Sequence, residues 1–332
     1  MKKVLIIRFS SIGDIVLTTP IIRCLKMQVK DVEIHYLTKM AFTPILKSNP
    51  YIDKIHSIEK DIHEVIPGLK SIGFDHIIDL HKNLRSLRVK VNLRKQSSSF
   101  NKLNLKKWIL VRFKINMLPD KHIVDRYFDA VDFLGVRNDG KGLDYFIAEE
   151  DQVDTKTLPD SFKLGYIGFA IGGKHKTKLL PVEKIEAICH KLNRPVVLLG
   201  GKEDENRAIE ISKTFGPNVY NTCGRLNINQ SASIIEQAEL IITHDTGLMH
   251  IAAAFRKKII SVWGNTIPEF GMYPYMPEKV NNRFNIVEVK ELSCRPCSKI
   301  GYDQCPKGHF DCMNQIDVDE LVNRVNVQLR SK

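Results

Sequence analysis

The chain has 332 residues, 43% of them hydrophobic, which is long enough that two separate cores are expected. No segment approaches the ~20 uninterrupted apolar residues of a membrane-spanning helix. Fifty Lys+Arg against 38 Asp+Glu give a net charge of +12. Much of that surplus lies in residues 82–119, which hold eleven Lys/Arg and no Asp or Glu. Such a block points to an anionic partner (nucleic acid, a phospholipid surface or a phosphorylated sugar), with a merely solvated helix face as the plain alternative.

In chain order, "KVLIIRF" (3–9) is a continuous apolar run, as expected of a strand covered on both faces of a parallel sheet. Two lysines precede it, but Arg8 interrupts the run and no small-residue cleavage site follows, so a buried strand is expected rather than a signal peptide. A cytosolic, soluble protein is the corresponding expectation. "SSIGD" turns the chain, and "IVLTTPIIRCLKMQV" has helical periodicity. "VEIHYLT" (32–38) and "FDHIIDLH" (74–81) read as strands. Block 82–119 reads as partly helical with a break at "QSSSF", and 122–136 as one amphipathic helix. Residues 137–162 are polar and turn-rich, the expected linker.

A second alternating set follows. Strands are expected at 163–170, 194–200, 240–245 and 258–264, with a short one in "NVYNTCG". Helices are expected at about 181–192, in "ENRAIEISKTF", "NQSASIIEQAE" and "GLMHIAAAFR", and at 317–330. The fold class is therefore α/β: two Rossmann-like, doubly wound domains facing across a cleft. Ligands of open α/β sheets sit beyond the carboxyl ends of the strands.

Four motifs fall at such places or carry chemistry. In "THDTGLMH", a helix starting near Thr246 offers unpaired backbone N–H groups to a pyrophosphate, and Gly247 permits close approach. Asp245 is either a ligand contact or the helix cap, and His250 either faces the ligand or is packed. "GGKHKTKLLP" (172–181) is a lysine-bearing glycine loop suited to phosphate, with an ordinary basic loop as the alternative. It is neither a P-loop nor a dinucleotide fingerprint, so neither ATP hydrolysis nor nicotinamide binding is supported. In "RFSSIGD", Asp14 just past the first strand reads as a general base or as a helix cap. Cys294, Cys297, Cys305 and Cys312 could hold a structural zinc, but only one C-x-x-C knuckle is present. Reduced cysteines packing a loop is the favoured reading, and no metal is expected at the reaction site. Cys24, Cys189 and Cys223 read as small buried apolar residues.

Together these motifs resemble glycosyltransferase family 9, the bacterial lipopolysaccharide heptosyltransferases, over nearly the whole chain. "RFSSIGDIVLTTPIIRCLK", "KTKLLP", "THDTGLMHIAAA" and "CRPCSKIGYDQCPKGHFDCM" carry the resemblance, in that order. It implies a GT-B fold: an acceptor-binding domain at 1–155, a nucleotide-sugar domain at 156–315, and a helix at 316–332 packing back on the first domain. It implies inverting transfer of a heptose from ADP-heptose to the lipopolysaccharide inner core, without a cofactor, at the cytoplasmic face of the inner membrane.

By position, Asp14 takes the family's base role and Lys178 its donor-phosphate or ribose lysine. Asp204 falls near the donor ribose and Leu226 on adenine, while Asp245, Thr246, Gly247 and His250 match the donor signature. Lys82, Arg85 and Arg88 are expected to meet the acceptor, an anionic lipid A with core sugars. Gly172 and Gly173 stand where the family often has hydroxyl residues, and Leu179 and Leu180 where it has a basic–aromatic pair. Another nucleotide sugar, a non-catalytic nucleotide- or carbohydrate-binding protein, and a nucleic-acid binder remain as alternatives. Asp14 argues against a non-catalytic role. The lack of regularly interleaved aromatics argues against nucleic acid.

Overall fold

The computed structural model describes residues 2–331 and divides into two compact units. The first runs through Lys102 and also takes in Lys121–Phe146; the second comprises Leu103–Asp120 and the chain from Ile147 onward. The basic block is thus shared: residues up to Lys102 belong to the first unit and the rest to the second.

The first unit has a parallel sheet of five strands, β1 (Lys2–Ile7), β2 (Val32–Lys39), β3 (Lys54–Ile58), β4 (His76–Asp79) and β5 (Ser97–Ser99), in the order β3-β2-β1-β4-β5. Val4 to Ile7 of β1 are essentially fully buried, as a central strand between two helical layers requires. The chain winds from β1 outward to β3 and then returns to the other side of β1. The winding therefore reverses between β1 and β4, and that crevice is the place for a ligand. β5 occupies part of the expected break "QSSSF". Its backbone pairs with β4 at Ile77 and Ser97, a register that the serines alone do not announce. The single helix expected over 122–136 is instead Ile123–Tyr127 followed by two short 3₁₀ turns. At Val131 the backbone leaves helical geometry (φ −122°, ψ 1°).

The second unit has six parallel strands, β6 (Ile167–Ala170), β7 (Val196–Leu199), β8 (Val219–Asn221), β9 (Leu240–His244), β10 (Lys258–Trp263) and β11 (Phe284–Glu288), in the order β11-β10-β9-β6-β7-β8. Here the reversal lies between β6 and β9. Helix Val182–Leu192 shows why the covering helices form. Ile185, Ile188, Cys189 and Leu192 repeat at helical spacing and are all buried, while Asn193 ends the helix in the left-handed conformation (φ 46°). Each of the isoleucines and the leucine contributes about 1.5–3 kcal/mol on burial. Truncating Ile188 to Ala would cost about 2–5 kcal/mol.

The terminal helix Val318–Arg330 is amphipathic. Leu321, Val322 and Val325 join the second unit's core, against helix Val182–Leu192 and strands β9 and β10.

Candidate functional site

In the first unit, the turn after β1 opens helix Ile12–Val16, with Ser11 as N-cap and Asp14 in the first turn. Asp14 Oδ2 accepts hydrogen bonds from the Ser11 backbone N–H (3.1 Å) and the Ser11 hydroxyl (2.8 Å). Its Oδ1 meets Arg8 Nη2 at 2.5 Å. The capping role is therefore real, and it occupies only one of the two oxygens. Burial alone would raise the carboxyl; the Arg8 guanidinium and the Ser11 donors outweigh it and hold Asp14 below the ordinary carboxylate range. Asp14 is ionised at neutral pH.

Arg8 spans the crevice: it donates to the Leu80 carbonyl beyond β4 (2.5 Å), to the Ser10 carbonyl (2.9 Å) and to the Tyr127 hydroxyl (3.2 Å). Burial pushes the Tyr127 phenol up to about 12, so it stays a neutral partner. His81 also sits here, its ring edge-on to Phe9 at 5.1 Å, and its Nδ1 is buried with no hydrogen-bond partner among the described residues. Burial, reinforced by Arg8 and Lys102, lowers it to about 4, so its imidazole is neutral. Neither Arg8 nor His81 was singled out from sequence. The available signal was position: each lies one or two residues beyond the end of a strand that flanks the winding reversal.

The basic residues of this unit divide by task. Arg85 lies over the Phe9 ring at 5.7 Å, and with Arg88 it lines a cavity of about 390 Å³ shared with Asp61, Ile62, Asn83 and Leu84. Lys82, though exposed, donates its ammonium to the Phe100 carbonyl (2.9 Å). Lys90 is structural: it neutralises the buried Asp79 at 3.0 Å, whose carboxylate also binds the Ser86 hydroxyl (2.8 Å) and the Lys82 N–H (2.7 Å) at the start of helix Leu84–Leu93.

In the second unit, the loops after β6 and β9 meet. Lys178 Nζ donates to Asp245 Oδ2 (2.5 Å) and to the Asp245 carbonyl (3.2 Å). The Thr266 hydroxyl donates to the same Oδ2 (2.8 Å). Asp245 is thus the anchor of the lysine, while Thr246, in extended geometry, is the N-cap of helix Gly247–Ala254. Thr246 Oγ1 is buried and finds no partner among the described residues. Gly173 packs close to it; a Cβ there would stand 2.8 Å from Thr246 Cγ2. The lysine loop is held from two further sides. His244, fully buried, accepts the Leu180 N–H through Nε2 (3.0 Å), and burial lowers it to about 3. Thr177 exchanges hydrogen bonds with Tyr302: its N–H donates to the Tyr302 carbonyl at 3.1 Å, and its hydroxyl accepts the Tyr302 N–H at 2.8 Å.

Two of the residues expected to meet the donor are buried. His250 is 2% exposed. Its helix packs against helix Ile228–Gln237 and against β9 and β10. Asp204 is 6% exposed. Its Oδ2 accepts the Gly201 N–H (2.9 Å), and the Gly173 N–H also bonds to it; burial raises its pKa. The carboxylate shapes the glycine loop, and a Cβ on Gly172 would collide with it. Leu226 is half-buried, just beyond β8.

The cysteine segment braces this unit. Cys297 Sγ–H donates to the Cys294 carbonyl (3.0 Å); burial and the neighbouring Cys294 push its thiol up to about 11, and burial pushes that of Cys312 up to about 12. All seven cysteines are free thiols. Among the described residues no group of three or more His, Cys, Asp or Glu is arranged to hold a metal ion. Between them, Arg295 donates to the Thr266 carbonyl (2.9 Å) and pairs with Glu288 (2.7 Å), which fixes the loop carrying Thr266 to Asp245.

Comparison with known proteins fits this construction. The chain is 25% identical over 289 residues to lipopolysaccharide heptosyltransferase 1 of Campylobacter coli, covering 80% of this chain and 84% of that one. In fold it resembles the solved E. coli ADP-heptose lps heptosyltransferase II, with a TM-score of 0.76 at 18% identity over 99% of this chain and 98% of that one. It also resembles an E. coli heptosyltransferase solved with ADP, with a TM-score of 0.70 at 18% identity over 98% and 99%. Residues 62–304, well over half of the chain, match the family described as glycosyltransferase family 9 (heptosyltransferase). With two parallel doubly wound sheets and a carboxylate–cation pair at each winding reversal, the chain belongs to glycosyltransferase family 9, the heptosyltransferases.

Proposed function

We propose that the protein transfers a heptose from ADP-heptose to the inner core of lipopolysaccharide, with inversion at the anomeric carbon. The observation that carries this reading is the Lys178–Asp245 pair at 2.5 Å beside the N-terminus of helix Gly247–Ala254. A diphosphate placed there meets an ammonium held in position and the positive end of a helix dipole. Asp245 already neutralises Lys178, so much of the remaining attraction comes from the helix and from the exposed Lys174 and Lys176. That a similar fold has been solved with ADP supports an adenine nucleotide, and Leu226 offers an apolar surface for its base. Gly172 and Gly173 supply backbone in place of the hydroxyls expected in this loop.

In this reading the first unit supplies the base and the acceptor contacts. Asp14 Oδ1 takes the proton of the acceptor hydroxyl as that oxygen attacks the anomeric carbon. The bond from that carbon to the phosphate oxygen breaks on the opposite face, and ADP departs. The lowered pKa of Asp14 makes it a weak base. Proton transfer becomes favourable only as the attacking hydroxyl acidifies late in the step. Lysine and helix N-terminus stabilise the departing diphosphate, the task a divalent cation performs elsewhere, so turnover should persist with excess chelator. Arg85 and Arg88 face the acidic sugars and phosphates of the acceptor. The acceptor is lipid-borne, which places the reaction at the cytoplasmic face of the inner membrane; among the described residues no helix is long and apolar enough to cross a membrane.

The deciding experiment is a donor screen by mass spectrometry with purified protein and a heptose-deficient core acceptor. A mass gain of one heptose from ADP-heptose alone is expected. Transfer from a different nucleotide sugar in preference would replace the donor assignment, and no transfer from any donor would sink the catalytic reading.

A further inference from the structure

Helix Asn104–Phe113 is fixed to the second unit by one side only. Leu110 is buried, Lys107 lies over the Phe270 ring at 5.5 Å, and Lys114, at the helix end, donates to the carbonyls of Cys294 (3.1 Å) and Pro296 (2.7 Å). The other side is bare and apolar. Leu105, Trp108 and Phe113 are 69%, 54% and 56% exposed, and Ile115 and Met117 continue at 57% and 51%. These five are a third of the fifteen large apolar side chains exposed among the described residues, gathered in 13 positions, which is clustering rather than ordinary scatter. The Trp108 and Phe113 rings pack edge-to-face at 5.5 Å, so the aromatic pair is formed in advance. Lys106 and Arg112 are exposed on the same helix, and no acidic residue lies between positions 82 and 119.

We infer that this face docks on an anionic lipid bilayer, with Leu105, Trp108, Phe113, Ile115 and Met117 entering the headgroup–acyl boundary and Lys106 and Arg112 meeting lipid phosphates. Large apolar and aromatic side chains flanked by cations on an exposed helix are the chemistry of interfacial insertion. A second copy of the chain is a poorer occupant, because a two-fold interface would set this acid-free cationic face against itself. The inference stands on exposure and charge alone and is independent of the transferase reading.

The test uses vesicles free of any saccharide acceptor: pure phosphatidylcholine, and phosphatidylcholine with about 30 mol% phosphatidylglycerol. The chain has two tryptophans, and Trp263 is 1% exposed, so a change of emission on binding reports Trp108. On the anionic vesicles the emission should shift to the blue and be quenched by acyl-brominated lipid. Binding should exceed that to the neutral vesicles at least about tenfold, and fall as salt rises from about 0.1 to about 1 M. Trp108→Ser with Phe113→Ser should lower the partition at least about tenfold, with ADP affinity and melting midpoint held. Lys106→Glu with Arg112→Glu, substitutions on exposed polar positions, should also lower it and so covers a failure of the first variant to fold. Absence of vesicle binding at low salt, binding by both double variants equal to that of the unsubstituted protein, or a serine variant that instead dissolves a dimer on size exclusion would overturn the inference.

Discussion

Each unit sets a carboxylate against a cation 2.5 Å away at its winding reversal, yet the two pairs are built in opposite senses. In the first, the cation is the fixed member: the Arg8 side chain is 9% exposed, tied to three other groups, and the Asp14 side chain is 21% exposed. In the second, the carboxylate is the anchor: Asp245, 11% exposed, is held by Thr266 as well, while Lys178 is 16% exposed. In the proposed reaction the more exposed partner is the working group in each case. On that proposal, an ion pair of one geometry positions a base in one unit and a phosphate-binding cation in the other. Which role it takes depends on which member the surrounding hydrogen bonds immobilise.

The strongest way to break this comparison is Asp14→Asn, which keeps the shape and some capping capacity but removes the basicity. Turnover should fall more than ~100-fold while ADP affinity is unchanged. Steady-state kinetics beside calorimetry checks this, and near-normal turnover would end the assignment of Asp14 as the base.

Next in size is Lys178→Ala. It should weaken ADP binding by about 1–3 kcal/mol, since a charged hydrogen bond is lost. Asp245 would then be an unpaired negative charge facing a diphosphate, so adding Asp245→Asn should restore part of the affinity. If calorimetry shows the double variant no better than the single one, Asp245 is not acting through the lysine.

Reversing Arg85 and Arg88 to Glu should raise the acceptor KM by roughly tenfold while ADP affinity holds, because the effect of these two cations is electrostatic. Lys90 is left in place because it neutralises the buried Asp79, and its loss would cost stability rather than report on the acceptor. An unchanged KM would reduce the two arginines to a solubilising surface.

The smallest effect is expected from Ser11→Ala. It removes one of the donors that lower the Asp14 pKa, so the acidic limb of the pH–rate profile should move to higher pH. The same sign governs stability. A carboxylate lowered in the folded state stabilises above its unfolded pKa, and the contribution is lost as pH falls through the folded value. Ser11→Ala should therefore narrow the difference in melting temperature between neutral and acidic pH. A limb that stays in place would mean that the Ser11 hydroxyl does not tune the base.

Much of this was legible in the chain. "KVLIIRF" and "AELIIT" are long apolar runs bounded by turns, and they became β1 and β9 because buried parallel strands require that pattern. Asp14, Asp245, Thr246 and Gly247 could be singled out because they follow strands closely in sequence, where open α/β sheets place their ligands. By contrast, β5 was hidden, since Ser97–Ser99 has no strand pattern of its own and is ordered by pairing with β4. The burial of His250 and Asp204 was not legible, because a motif specifies residue type but not what packs around it.

What the sequence determined by itself was therefore local and periodic: the alternation of strand and helix, the doubly wound class, and the strand ends at which chemistry could be placed. The partners were decided only in three dimensions. Lys178 and Asp245 are 67 residues apart, Arg8 and Leu80 are 72 apart, and the helix Val318–Arg330 shows an amphipathic face without naming its mate. The 3.6- and 2-residue periods state which side of an element is apolar. Which element covers that side, and which cation fixes which carboxylate, follows from the order in which parallel strands assemble around each winding reversal.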